Sequence, residues 1–207
     1  MNIHNVLRVM EKEGKYAEVY ILSSLIKNPL DALICALLST RTKDKKTIEV
    51  CKVLLKRIKK IEDLRQISID ELTKLIYGVG FYKRKAVYLK QIAEKINDNF
   101  NLSDEYLMSL PGVGRKVAHI VRLYANIDEI AVDIHVHRIS NRLGIVNTKT
   151  PIQTEIELKK IIPKQYWRKV NIVFVSYGQT ICKAKPKCDI CKLKHVCKYY
   201  NTFKDQD

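Results

Sequence analysis

Leu110-Pro111-Gly112-Val113-Gly114-Arg115-Lys116-Val117-Ala118 joins two apolar helical runs through a proline and two glycines, and sets a lysine in the first turn of the second run. Upstream, Ser103-Asp104-Glu105 followed by Tyr106, Leu107, Met108 and Leu110 predicts a short helix with a serine N-cap and an acidic first turn, ended by Pro111. Downstream, Val117, Ala118, Ile120, Val121 and Tyr124 recur at helical spacing, which leaves Gly112-Val113-Gly114 as a tight turn between two helices. The turn offers the amides of Val113, Gly114 and Arg115 at a helix N-terminus, where the macrodipole also favours an anion, so phosphate is the expected occupant. A helix precedes the turn and a third glycine is missing, which sets aside a dinucleotide-binding strand-loop-helix unit. Any helical hairpin wants glycine and proline here; the lysine alone argues for more.

Composition points the same way. A chain of 207 residues with 46% hydrophobic content suits one large domain or two small ones sharing a core, and a net charge of +16 exceeds what solubility requires. A polyanion is the expected partner. No apolar run reaches the length of a membrane span, and Leu33 to Leu38 reads as a buried core helix. Met1 to Lys15 is charged throughout and resembles no secretory signal, so a cytoplasmic or, in a nucleated cell, nuclear protein is expected.

Along the chain, Val6 to Met10 and Tyr16 to Leu25 predict two amphipathic surface helices separated at Gly14. Asn28 with Pro29 and Asp31 opens a helix that is apolar all round, with Cys35 as a small hydrophobe inside it. Ser39 to Asp44 breaks that helix, with Asp44 placed to cap the next, which carries Cys51, Leu54, Leu55 and Ile58 on one face. A second Gly-Val-Gly turn, Gly78-Val79-Gly80, precedes Phe81 and Tyr82 beside Lys83, Arg84 and Lys85, a mixture of stacking surface and charge that nucleic-acid proteins use. Ile130 to Arg138 alternates, but reads as a helix start capped by Asp133, with His135 and His137 on the helix. Thr150 to Gln153 predicts a capping box, Pro163 a helix end, and Gln165 to Tyr177 a final helix.

Cys182, Cys188, Cys191 and Cys197 form the most specific signal: one C-x-x-C flanked by two five-residue arms. Zinc sites typically pair two close-spaced couples, so the pattern fits a single cubane iron–sulfur cluster better than zinc, and either better than disulfides. Lys192 and Lys194 lie among the ligands and make the loop basic.

Together these residues resemble the endonuclease III family of DNA glycosylases, helix-hairpin-helix enzymes with a [4Fe–4S] cluster. Leu110 to Lys116 is similar to the family hairpin, Ala131-Val132-Asp133-Ile134-His135-Val136 to the segment carrying its aspartate, and the four cysteines to its cluster loop, in the same order along essentially the whole chain. The chain departs in two places. Its first cysteine arm has five residues where the family usually has six, and Arg41 stands where bacterial members usually have glutamine, in the loop that enters the space vacated by the extruded base.

The resemblance implies an all-α, two-lobed helix-hairpin-helix glycosylase fold. One lobe is a helical barrel at 21–130 with the hairpin near 103–126; the other combines 1–20 with 131–207 and holds the cluster loop at 182–197. It also implies a monomer acting on double-stranded DNA with damaged bases or abasic sites. Lys116 and Asp133 become the catalytic pair facing each other over the cleft, and Cys182, Cys188, Cys191 and Cys197 the [4Fe–4S] ligands. Gly112, Val113, Gly114, Arg115, Lys192 and Lys194 are expected on phosphates, Arg41 and Phe81 in the space left by the base, and His135 and Asp44 at the pocket. The expected activity is removal of oxidised pyrimidines such as thymine glycol, with strand cleavage by β-elimination through a lysine Schiff base. A monofunctional glycosylase of the same superfamily is the alternative, disfavoured by Lys116; a non-catalytic hairpin module is another.

Overall fold

Local signals place most of the helix boundaries. The computed structural model describes residues 2–96 and 100–204, and these form thirteen α-helices and no strand. In chain order they are α1 (Ile3–Gly14), α2 (Glu18–Leu25), α3 (Pro29–Ser39), α4 (Asp44–Arg57), α5 (Ile61–Gln66), α6 (Ile69–Leu75) and α7 (Tyr82–Lys95). Then follow α8 (Asp104–Ser109), α9 (Arg115–Tyr124), α10 (Ile134–Leu143), α11 (Pro151–Ile161), α12 (Trp167–Thr180) and α13 (Lys198–Lys204). The fold is all-α, and no helix among the described residues is long and apolar enough to cross a membrane.

Two units divide the chain: Ile21–Glu129 is one, and Met1–Tyr20 with Ile130–Asp207 is the other. In the first, α3 is the axis. Asn28 caps it by accepting from the Asp31 amide at 2.9 Å, Pro29 occupies its first position, and Ala32 to Leu38 are all buried. Val117, Ala118 and Val121 of α9 and Leu54 of α4 join the same core, where each fully buried aliphatic side chain contributes roughly 1.5–3 kcal/mol. In the second unit, Val6, Leu7 and Met10 of α1 share a core with Val170, Val173, Phe174 and Tyr177 of α12. Gly14 ends α1 against α12, where a Cβ would stand 2.3 Å from Ser176 Oγ. α1 is thus amphipathic as expected, with one face fully used.

Three boundaries differ from the sequence reading. The helix expected to be final, Gln165 to Tyr177, is a 3-10 turn at Lys164–Tyr166 running into α12, and α13 follows it after the cysteine loop. Asp44 is the first helical residue of α4 and not its cap, because Lys43 holds the capping position. At α11 Thr150 Oγ1 accepts from the Gln153 amide at 3.2 Å, but Gln153 Oε1 accepts from Lys149 at 3.0 Å, one residue before the cap that a reciprocal box would use.

Several cations are used internally, on helix ends. Lys90 Nζ donates to the carbonyls of Leu64, Arg65 and Ile67 at 3.1, 2.6 and 2.8 Å, closing α5. Lys59 Nζ does the same for Leu55 O at 2.8 Å. Such bonds satisfy the orphan carbonyls that every helix leaves at its C-terminus.

Candidate functional site

The hairpin is built from α8, a five-residue turn and α9. Ser103 Oγ accepts from the Tyr106 amide at 3.2 Å, starting α8 as expected. Gly112 has φ +74, and a Cβ there would stand 2.4 Å from Tyr88 Cδ2, so both backbone and packing demand glycine. Gly114 is different. Its φ of −99 suits any residue, and nothing lies within 4 Å of where its Cβ would be. The missing side chain therefore serves nothing inside the fold and leaves the approach to the start of α9 clear. Arg115 opens α9 and Lys116, half-buried, follows it in the first turn. The expectation that Val113 offers its amide to a phosphate is corrected: that amide donates to Leu110 O at 3.1 Å inside the turn, and the side chain is buried.

Behind the hairpin lies an ion network that sequence reading missed. His119 of α9 is 1% exposed, its Nε2 is 3.5 Å from Asp104 Oδ2 of α8 and its Nδ1 3.9 Å from Glu129 Oε2. Arg122, one turn along α9, approaches Glu129 Oε1 at 3.1 Å and Asp104 Oδ1 at 3.5 Å, and donates to Leu102 O at 2.7 Å. Asp104, His119 and Glu129 lie close enough to hold a cation. The geometry argues otherwise: the two ring nitrogens address different carboxylates, and Arg122 already supplies positive charge to both. The network ties α8 to α9 and fixes the hairpin.

Arg41 and Phe81 come from separate turns and are brought together. Both take left-handed backbone, φ 50 and φ 57, and the Arg41 guanidinium carbon lies 5.8 Å from the Phe81 ring centroid. Phe81 is 61% exposed, and Tyr77 and Tyr82 stack edge-to-face beside it at 5.2 Å. The result is an exposed aromatic and basic surface of the kind that stacks on nucleobases. Asp44 begins the helix beyond the Arg41 turn.

Asp133 is the N-cap of α10, as expected: its Oδ1 accepts from the amides of His135 and Val136 at 2.8 and 2.9 Å. His135, expected at a pocket, sits over Gly178 of α12, where a Cβ would stand 2.3 Å from its Nδ1, and that nitrogen is 3.1 Å from Arg138 Nη2. His137 holds Thr154 Oγ1 at 2.6 Å and is structural. Lys116 and Asp133 fall in different units.

The four cysteines of the C-terminal loop line one small pocket together with Arg142, Tyr177, Tyr199 and Tyr200. None of the four is in a disulfide. Burial, followed by the neighbouring sulfurs of Cys191, Cys197 and Cys182, pushes the Cys188 thiol up. Donors surround the sulfurs: Tyr177 Oη lies 3.0 Å from Cys191 Sγ, and Arg142 Nη1 is 3.6 Å from Cys182 Sγ. Backbone amides of Tyr200 and Tyr199 also point at Cys197. A thiol-only donor set ringed by hydrogen-bond donors fits a polyanionic iron–sulfur cluster, whose sulfurs accept such bonds. Cys35 and Cys51 stand apart, fully buried in the other unit. Of the two loop lysines expected on phosphates, Lys192 is held by Glu13 at 2.8 Å, and Lys194 reaches Asp189 O at 3.4 Å.

A family profile described as HhH-GPD superfamily base excision DNA repair protein matches residues 34–164. Endonuclease III of Thermotoga maritima is 41% identical over 180 residues, 84% of each chain. Among solved structures, a non-covalent endonuclease III–DNA complex superposes with a TM-score of 0.84 at 31% identity, covering 98% of this chain and 97% of that one. A trapped endonuclease III–DNA covalent intermediate in an estranged-adenine complex gives 0.82 at 29% identity, covering 99% of both.

Proposed function

Because the chain belongs to the endonuclease III family of the HhH-GPD superfamily of base excision DNA repair proteins, we propose that it removes oxidised pyrimidines such as thymine glycol from duplex DNA and cuts the resulting site through a Schiff base on Lys116. The enzyme is a DNA glycosylase and apurinic/apyrimidinic lyase. The observation that carries the reading of the site is Lys116 in the first turn of α9, two residues beyond a glycine that neither backbone nor packing requires.

The chemistry follows from what that bond cleavage demands. Breaking the bond between base and sugar develops positive charge on the sugar, which the Asp133 carboxylate stabilises while the Lys116 nitrogen attacks the anomeric carbon. Both capping bonds of Asp133 fall on Oδ1, so Oδ2 is the oxygen assigned to the sugar. The base departs with the glycosidic electron pair and takes up a proton. The nitrogen lone pair then forms the imine by breaking the bond from C1′ to O4′, which takes the proton the amine loses. The imine makes the C2′ hydrogen acidic enough to leave as a proton while the 3′ phosphate departs with its electron pair. Extrusion of the base precedes all of this and is cheapest for a damaged base. Arg41 and Phe81 fill the gap, and the start of α9 at Gly114 and Arg115 holds a phosphate.

A [4Fe–4S] cluster on Cys182, Cys188, Cys191 and Cys197 supplies ligation free energy that folds the basic loop. Double-stranded DNA is the partner, bound largely without regard to sequence by a chain of charge +16, with steep salt dependence. No membrane surface is needed to explain that charge.

Borohydride reduction during reaction with a thymine glycol duplex tests the reading. The wild type is expected to become covalently attached to DNA and Lys116→Ala to give no adduct. Trapping that survives in Lys116→Ala at the wild-type rate refutes the catalytic assignment.

A further inference from the structure

Lys85 takes no part in the chemistry above, yet it is only 4% exposed. Its Nζ donates to Leu38 O at 2.9 Å, Thr40 O at 2.5 Å and Thr42 Oγ1 at 3.3 Å. These acceptors flank Arg41: two belong to the end of α3 and its cap, and the third stands directly after Arg41. Lys85 itself sits in the first turn of α7, and its amide donates to Phe81 O at 3.0 Å. One residue thus holds the Arg41 turn with its side chain and the Phe81 carbonyl with its backbone. The seam is closed elsewhere too. The Gly80 amide donates to Thr42 Oγ1 at 3.1 Å, and a Cβ on Gly80 would stand 2.2 Å from Arg41 O.

The cost of this arrangement asks for a reason. Burying an ammonium is costly, and two non-glycine residues are held in left-handed backbone, a conformation that such side chains rarely adopt. Packing does not repay it through those two side chains, since Arg41 and Phe81 are both exposed. Strain of that kind persists where the surroundings over-determine it, and here Lys85 is the surrounding element shared by both turns.

We propose that Lys85 is a positioning residue for lesion recognition: it fastens the Arg41 turn to the helix behind Phe81, so that the two side chains enter the duplex as one preassembled unit. The proposal rests on the glycosylase reading above and names the residue that prepares its recognition step.

The full-length, iron-loaded protein is assayed on a thymine glycol duplex, on a duplex with a preformed abasic site, and by emission of 2-aminopurine placed opposite a non-cleavable abasic analogue. In Lys85→Met, lesion processing is expected to fall about ten- to hundredfold relative to abasic-site cleavage, the scale of an ångström of misplacement. The emission change that the wild type produces should be lost as well. A lysine that only stabilises the fold lowers both reactions in parallel, so an unchanged ratio overturns the proposal. Where Lys85→Met does not fold, Thr42→Val, which removes one acceptor and keeps the shape, decides by the same ratio with a smaller factor of about threefold. A wild type that cuts neither duplex defeats the glycosylase reading instead, and the emission change, which needs no turnover, still decides Lys85.

Discussion

The phenol of Tyr177 lies 3.0 Å from the sulfur of Cys191, at the buried end of α12. Tyr177 is 1% exposed, so its hydroxyl has been taken out of water and directed at that sulfur. Burial, followed by that sulfur, pushes the phenol far above its ordinary range, which keeps it a donor. Tyr177→Phe should fold and bind iron but lose it to a chelator several-fold faster, consistent with one hydrogen bond of about 1 kcal/mol. Chelation kinetics equal to the wild type would show that the bond does not support the cluster.

The two kinds of cysteine predict opposite outcomes. Anaerobically purified protein should hold iron and sulfide, and Cys188→Ala should abolish both together with the fold of the loop. Cys35→Ala and Cys51→Ala, in the core of the other unit, should keep full iron content and lose roughly 1–2 kcal/mol of stability from packing. Stoichiometric zinc with no iron would sink the cluster assignment.

The ion network behind the hairpin yields a stability prediction. Glu129 is 7% exposed and faces both His119 and Arg122. Glu129→Gln keeps the shape and leaves two cationic or polar groups under-compensated, which should cost about 3 kcal/mol or more in thermal unfolding. Iron content should be unchanged, because the network lies within Ile21–Glu129 and the four loop cysteines do not. A variant as stable as the wild type would mean that the network contributes nothing net.

Sequence reached what is encoded locally and missed what is not. Ser103, Asn28 with Pro29, Asp133 and the two Gly-Val-Gly turns announce themselves within four residues, since caps and turns are satisfied by near neighbours. That the four loop cysteines form one set was legible by spacing, and they do line one pocket. Lys85 reads as one more cation in a basic run, because its acceptors lie 43 to 47 residues away. Lys192 hides its partner Glu13 for the same reason. Val113 failed differently: a turn this tight closes its own hydrogen bond, and no residue type signals that.

Lys85 also gives a pH prediction. Burial pulls its ammonium from an ordinary 10.5 down to about 8, and its three acceptors are uncharged. Below pH 8 the lysine is protonated in both folded and unfolded states, and the fold carries the full penalty of the buried charge. Between pH 8 and 10.5 the unfolded chain binds more protons than the folded one, so this group makes the fold gain stability as pH rises, a gain lost again as pH falls through 8. The stability of the wild type relative to Lys85→Met should therefore improve through that window in chemical denaturation. A difference independent of pH would mean that the ammonium is not destabilised by burial.

The last prediction separates the two duties of Asp133. Its Oδ1 caps α10 through two amide bonds, and its charge is assigned to the sugar. Asparagine keeps a carbonyl oxygen where Oδ1 stood and loses the charge; alanine loses both. Asp133→Asn should hold its stability to within about 0.5 kcal/mol and keep its DNA affinity, because asparagine is as good a cap as aspartate. Asp133→Ala should lose about 1–2 kcal/mol in addition. On the lesion duplex both should slow by roughly a hundred- to a thousandfold, the usual consequence of removing one preorganised electrostatic group at a developing charge. If the cap were the whole role, rates would track stability, and the asparagine variant would turn over like the wild type. Single-turnover rates and unfolding midpoints on the two variants distinguish these cases, and a fully active Asp133→Asn would remove Asp133 from the chemistry while leaving it in the fold.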